Sequence, residues 1–168
     1  MRLPPSLAAA LLLAALPVSA DEAPVVEHQP LPCTVPEKPI AMCATASDDN
    51  EVARVRAYFR RQGEDFYSYV EMAFTGLNHC GTLPAPREGK LTAIEYYVQA
   101  VDDQYQPTRT STYQIKVQPE GVCEFPPVQK DPQKAASIKV YATNKKQGRK
   151  LDDAFSPSGV SFVPVETR

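Results

Sequence analysis

The chain has 168 residues, with 18 Lys and Arg against 20 Asp and Glu, a formal net charge of −2, 17 prolines, 4 cysteines, 2 histidines and no tryptophan. A balance this close to neutral excludes a general electrostatic grip on nucleic acid. The length suits one domain of about 100 residues with extensions.

The chain opens MRLPPSLAAALLLAALPVSADEAP. Arg2 precedes an apolar run from Leu7 to Leu16 and a small-residue site, Val18-Ser19-Ala20, so residues 1–20 read as a secretory signal peptide with cleavage expected after Ala20. A spanning helix needs about 20 apolar residues. This run is shorter and ends at Pro17, and no later segment approaches it, so no transmembrane segment is expected in the mature chain. Cys33 lies too far downstream of Ala20 to carry a lipid there. Export to periplasm or medium makes an even cysteine count read as two disulfides. Cys33, Cys43, Cys80 and Cys123 form no CxxC, and with only His28 and His79 available they do not match the ligand sets of zinc.

From Asp21 to Pro39 the chain is proline-rich, with one extended piece around His28 to Val35. Alternation then begins. Ile40, Met42 and Ala44 share one parity; in the next run Val55, Ala57 and Phe59 do, while Arg54, Arg56, Tyr58 and Arg60 take the other, the period of a half-buried strand. In DFYSYVEMAF the more apolar set is Phe66, Ser68, Val70, Met72 and Phe74. A turn at Thr75 to Asn78 leads to a short strand, His79 to Leu83, and Pro84, Pro86 and Gly89 break the chain. Ile94, Tyr96, Val98 and Ala100 line one side of the following strand, Asp102 to Pro107 makes a turn, and Thr110 to Val117 returns. Seven strands at short spacing with turn signals predict an all-β sandwich or barrel over residues 21–118. Residues 119–136 read as a proline-rich linker. Residues 137–168 read as a C-terminal β-ribbon extension, with strands at Ser137 to Ala142 and Gly159 to Val165. A two-stranded ribbon is marginal alone, so it must dock on the sandwich or on a partner.

The series His28 to Pro30, PIAMCATASDD at Pro39 to Asp49, EVARVRAYFR at Glu51 to Arg60, YVEM at Tyr69 to Met72, GTLPAP at Gly81 to Pro86 and EYYVQAVDD at Glu95 to Asp103 resembles bacterial immunoglobulin-like or fibronectin type III-like modules. The resemblance implies a seven-stranded sandwich and a secreted accessory role, and it carries no catalytic signature. Such modules mostly lack cysteines, so the four present here depart from the pattern. The strand order that the resemblance implies makes the strands of Cys43 and Cys80 antiparallel neighbours with both cysteines outward, and ends the strands before Cys33 and Cys123 at one pole. It therefore favours Cys43–Cys80 with Cys33–Cys123 among the three connectivities that four cysteines allow.

Two clusters invite chemistry. Asp48, Asp49, Asp102 and Asp103 end strands whose loops gather at one end of such a sandwich, and calcium takes six to eight oxygen ligands. Asx residues also simply terminate strands, and that reading is preferred. Arg54, Arg56, Tyr58, Arg60 and Arg61, with Tyr67 and Tyr69 on the neighbouring run, form an Arg/Tyr stripe of the residue types enriched in binding hot spots. It is the preferred partner surface, although the same residues also make ordinary cross-strand pairs. Lys145, Lys146, Arg149 and Lys150 read as a solvated loop. No GxSxG occurs, and neither histidine has an evident nucleophile beside it. The expectation is an exported, non-catalytic binding or structural module of the envelope with no cofactor and a protein or polysaccharide partner. An accessory or inhibitory subunit of an extracellular enzyme is the alternative, and a small hydrolase the third reading.

Overall fold

A computed structural model describes residues 21–124 and 137–166. The described residues form eleven strands: β1 (Val25–Glu27), β2 (Cys33–Thr34), β3 (Ile40–Ser47), β4 (Val52–Arg61), β5 (Ser68–Phe74), β6 (His79–Leu83), β7 (Ala93–Asp102), β8 (Pro107–Arg109), β9 (Tyr113–Val117), β10 (Ile138–Ala142) and β11 (Val160–Val163). Among the described residues there is no α-helix, only a 3-10 turn at Lys145–Gln147. No helix there is long and apolar enough to cross a membrane.

The strands join in one curled, mixed sheet of order β1-β3-β6-β5-β4-β7-β9-β2, with β8 added on β7 and β10 on β5. The curl arises at β5. Its first half pairs with β4 (Tyr69 opposite Tyr58, Val70 opposite Ala57), and its end pairs with β6 (Phe74 opposite His79). The two arms of the sheet therefore share one core. Ile40, Met42, Ala44 and Leu83 enter it from one arm, and Val55, Ala57, Phe59, Ile94, Tyr96, Val98 and Ala100 from the other. Alternation forces this result, because residues i and i+2 share a face and the apolar set of each strand has one burial solution. Gly81 on β6 permits the close approach of β5: a Cβ there would meet Met72 Cγ at 3.0 Å.

Both expected disulfides form, Cys43–Cys80 between directly opposed residues of β3 and β6, and Cys33–Cys123 beside the parallel pair of β2 and β9. No cysteine is free. That oxidation state belongs to an extracellular or periplasmic environment.

Two expectations need correction. Between Val25 and Val117 there are nine strands, not seven. The extended piece expected at His28 to Val35 forms a strand only at Cys33–Thr34, because Pro30 and Pro32 offer no amide to a ladder, and β1 precedes it. The return strand begins earlier, at Pro107, and divides at Thr110 to Thr112. There the Thr110 hydroxyl accepts the Val98 N–H at 3.1 Å, while the Thr110 N–H donates to the Val98 carbonyl at 2.9 Å. A side chain thus replaces one rung of the backbone ladder.

The second correction concerns Phe74, expected on the apolar face of β5. It is 65% exposed, because the strand leaves the core to pair with β6. The C-terminal segment docks on the sheet, one of the two outcomes expected of so short a ribbon. β10 and β11 run parallel, and β10 continues the sheet antiparallel to β5 (Tyr141 opposite Tyr69). Val140, Ala154 and Phe155 from this segment are fully buried in the common core. The loop carrying Phe155 clasps the stretch after β6 through Ser156 N–H to the Ala85 carbonyl and Arg87 N–H to the Ala154 carbonyl, both 2.8 Å. Of the expected linker, residues 125–136 lie outside the described part.

Candidate binding face

The outer surface of β8, β7, β4, β5 and β10 carries the Arg/Tyr stripe and extends it. On four neighbouring strands Tyr97, Tyr58, Tyr69 and Tyr141 stand directly opposite one another. They form a ladder. Tyr58 stacks on Tyr97 with centroids 4.8 Å apart, and Tyr69 stacks on Tyr141 at 4.9 Å. Tyr58 and Tyr69 meet tilted at 5.3 Å, and Tyr67 meets Tyr97 edge-on at 5.0 Å.

Arginines flank the ladder on both sides. The Arg56 guanidinium lies 4.3 Å from the Tyr69 centroid and pairs with Glu71, which opposes it on β5; Arg60 lies 4.3 Å from the Tyr67 centroid and pairs with Glu95, which opposes it on β7. Arg109 on β8 sits 5.1 Å from the Tyr97 centroid. Exposed aromatic and cation–π pairs are each worth about 0.5–1.5 kcal/mol, and surface ion pairs about 0–1. Individually these are small. Together they hold the face in one arrangement, since every ring touches another ring or a guanidinium.

Protonation is equally constrained. Burial works against the charge of Arg56, but the hydrogen bond and charge of Glu71 outweigh it and push its pKa above the usual range. Burial raises the Tyr69 and Tyr97 phenols, so both remain hydrogen-bond donors at neutral pH.

The stripe residues Arg56, Tyr58, Arg60, Tyr67 and Tyr69 thus meet in this lattice. Arg54 lies on the same outward parity of β4, exposed. Arg61 leaves it, pairing with Glu64 and, at 3.7 Å, with Asp152. The sequence reading missed Tyr97, Arg109, Glu71, Glu95, Lys139 and Tyr141. Parity would have found Tyr97, which alternates with the core residue Tyr96; nothing in the sequence aligned Tyr141 with the ladder.

The acidic pole assembles differently from expectation. Carboxylate oxygens of Asp48 and Asp49 lie within 4.8 Å of each other and of Asp21. Asp102 and Asp103 stand outside that group. Asp102 is fully buried, and its Oδ1 accepts the Gln106 N–H of the turn at 2.7 Å, while Asp103 is exposed. Side-chain amides of Asn50 and Gln106 already donate to Asp21. Lys145, Lys146, Arg149 and Lys150 are all exposed.

Both ring nitrogens of His28 are engaged. Nδ1–H donates to the Cys43 carbonyl at 2.7 Å, Nε2 accepts the Tyr96 hydroxyl at 2.9 Å, and the same phenol oxygen accepts the Leu31 N–H at 2.9 Å. This ties the segment between β1 and β2 to the middle of β7. Burial lowers the His28 pKa and raises that of Tyr96 to about 12. His79 packs against Phe74, with centroids 5.2 Å apart.

No protein-family model and no curated protein matches the chain. Among solved structures, a crystal structure of an engineered protein is similar over 59% of this chain at 14% identity, with a TM-score of 0.44; the chain spans 21% of that protein's length. A likeness that weak carries no argument about fold or activity.

Proposed function

We propose that the chain is an exported, non-catalytic binding module of the bacterial envelope, built on an immunoglobulin-like or fibronectin type III-like sandwich, with the Tyr/Arg face as its partner surface. One observation carries this reading: five tyrosines and three arginines, from five strands and the residue just before β5, form a single preorganised lattice on an outward face. Tyr and Arg dominate the energetic centres of interfaces, and preorganisation removes the ordering cost of rotamer-rich side chains. The two disulfides support export. The antiparallel pairings of β3 with β6 and of β4 with β7, and the parallel pairing of β2 with β9, support the sandwich assignment. Engagement of both His28 nitrogens by structural partners supports a non-catalytic role.

The test is capture from the native envelope or culture fraction by immobilised wild-type protein and by a Tyr58→Ala/Tyr69→Ala variant of unchanged fold. The reading expects a partner retained by wild type and lost from the variant. A partner retained equally by both would refute the face, and turnover by the purified protein alone would refute the non-catalytic assignment.

A further inference from the structure

We infer that the Tyr/Arg face binds an acidic protein surface, a claim that rests on the binding reading above and names the chemistry of its partner. The strands of this face present five outward cations, Arg54, Arg56, Arg60, Arg109 and Lys139, and two outward carboxylates, Glu71 and Glu95. The whole chain, by contrast, carries a net charge of −2. The face is therefore a cationic island on an acidic molecule. The two carboxylates are consumed locally, by Arg56 and Arg60. Arg54, Arg109 and Lys139 are exposed and form no ion pair among the described residues. A partner that supplies carboxylates opposite these three completes the charge pattern, and a cationic partner meets repulsion.

A carboxylate-bearing polysaccharide has the same charge, and ring geometry decides against it. Sugars lie flat on open aromatic faces, where their C–H groups meet the π-cloud. Here the ladder rings stack on one another instead: Tyr58 and Tyr97 cover one another, as do Tyr69 and Tyr141, and guanidinium groups sit over Tyr67, Tyr69 and Tyr97. What is left to a partner is a flat field of ring edges and hydrogen-bond donors.

Five strands about 4.8 Å apart, and six residue steps along β4 at about 3.4 Å each, give a patch of roughly 20 by 20 Å. That is small against the ~800 Å² per partner of a standard interface. The complex is accordingly transient and sensitive to salt, because exposed charges are screened within about 10 Å at 0.1 M.

The purified protein is titrated with poly-L-glutamate and, separately, with polygalacturonate, at low and high salt, alongside an Arg54→Glu/Arg109→Glu/Lys139→Glu variant. These exposed positions lie outside the core, and an unchanged melting temperature confirms that the variant folds. Poly-L-glutamate should bind wild type, weaken by at least ~10-fold in the variant and at high salt, and exceed polygalacturonate by a similar factor, a step of about 1.4 kcal/mol. Equal or tighter binding of polygalacturonate would overturn the choice of a protein partner. Failure of both polymers, while face-dependent capture of a partner persists, would overturn the acidic class and leave the binding reading standing. Loss of face-dependent capture as well would remove both.

Discussion

Replacing Phe155 by Ala tests whether the C-terminal segment belongs to the domain or merely follows it. Phe155 is 2% exposed, and its ring meets Phe59 edge-on at 5.2 Å in the shared core. An aromatic side chain buries about 150–250 Å². At about 25 cal/mol/Å² the transfer term alone reaches ~4–6 kcal/mol, an upper bound because the unfolded chain is partly collapsed. Measured Phe→Ala losses of about 3–5 kcal/mol agree. For a domain of this size each kcal/mol moves the melting temperature by roughly 3–5 °C, so a fall of roughly 10–20 °C is expected. Urea unfolding followed by far-UV circular dichroism should show a lower midpoint with an unchanged slope. Tyr105→Ala, at a position 77% exposed, serves as the control and should change little. Phe59→Ala should be equally damaging, and the double variant should lose less than the sum, since the two rings share one interaction. A loss below about 1 kcal/mol for Phe155→Ala would refute the shared core and return residues 137–168 to the status of an appendage.

Acidification should destabilise the protein, because His28 is neutral in the fold with a lowered pKa while the unfolded chain takes up its proton near pH 6.5. Stability is therefore full above about pH 6.5 and declines below it, by at most about 1.4 kcal/mol per pH unit for one proton; His79, lowered in the same direction, contributes less if the His28→Gln variant flattens the profile more than His79→Gln does. Thiol titration of the unreduced protein should find no free sulfhydryl. On loop entropy alone, losing Cys33–Cys123, which closes 90 residues, should cost ~4.6 kcal/mol, against ~3.8 for Cys43–Cys80, which closes 37. Reversal of that order in paired Cys→Ser variants would show that native packing around the second bond outweighs chain entropy. Millimolar calcium should leave the melting temperature within about 1 °C, because amides of Asn50 and Gln106 already satisfy Asp21; a rise of several degrees, abolished by Asp48→Asn with Asp49→Asn, would make the pole a cation site.

Period-2 patterning made most of the fold legible. The inward residues of β3, β4 and β7 follow from alternation alone, and so does the outward placement of Arg56, Tyr58 and Arg60. What stayed hidden depends on contacts that no local pattern encodes. Phe155 sits in an irregular loop between Asp152 and Ser156 and enters the core only because that loop clasps Ala85 and Arg87. The split of the return strand rests on a single hydroxyl, that of Thr110. The ladder needs the registers of three strand pairs at once, so alternation places Tyr58, Tyr69 and Tyr97 outward but nothing local aligns Tyr141 with them. Asp102 ends its strand and closes the following turn, as the Asx reading expects, but its full burial was not legible.

On the binding proposal, a partner docks on the outer face of β7, β4, β5 and β10. Hydrogen exchange of the backbone amides, with and without the captured partner, addresses it most directly. Slowed exchange is expected on these strands and β8 alone, centred on Tyr58 and Tyr69, with β3 and β6 on the opposite arm unchanged. Protection centred instead on β3 and β6, on the acidic pole at Asp48 and Asp49, or on the Lys145 to Lys150 loop would contradict it.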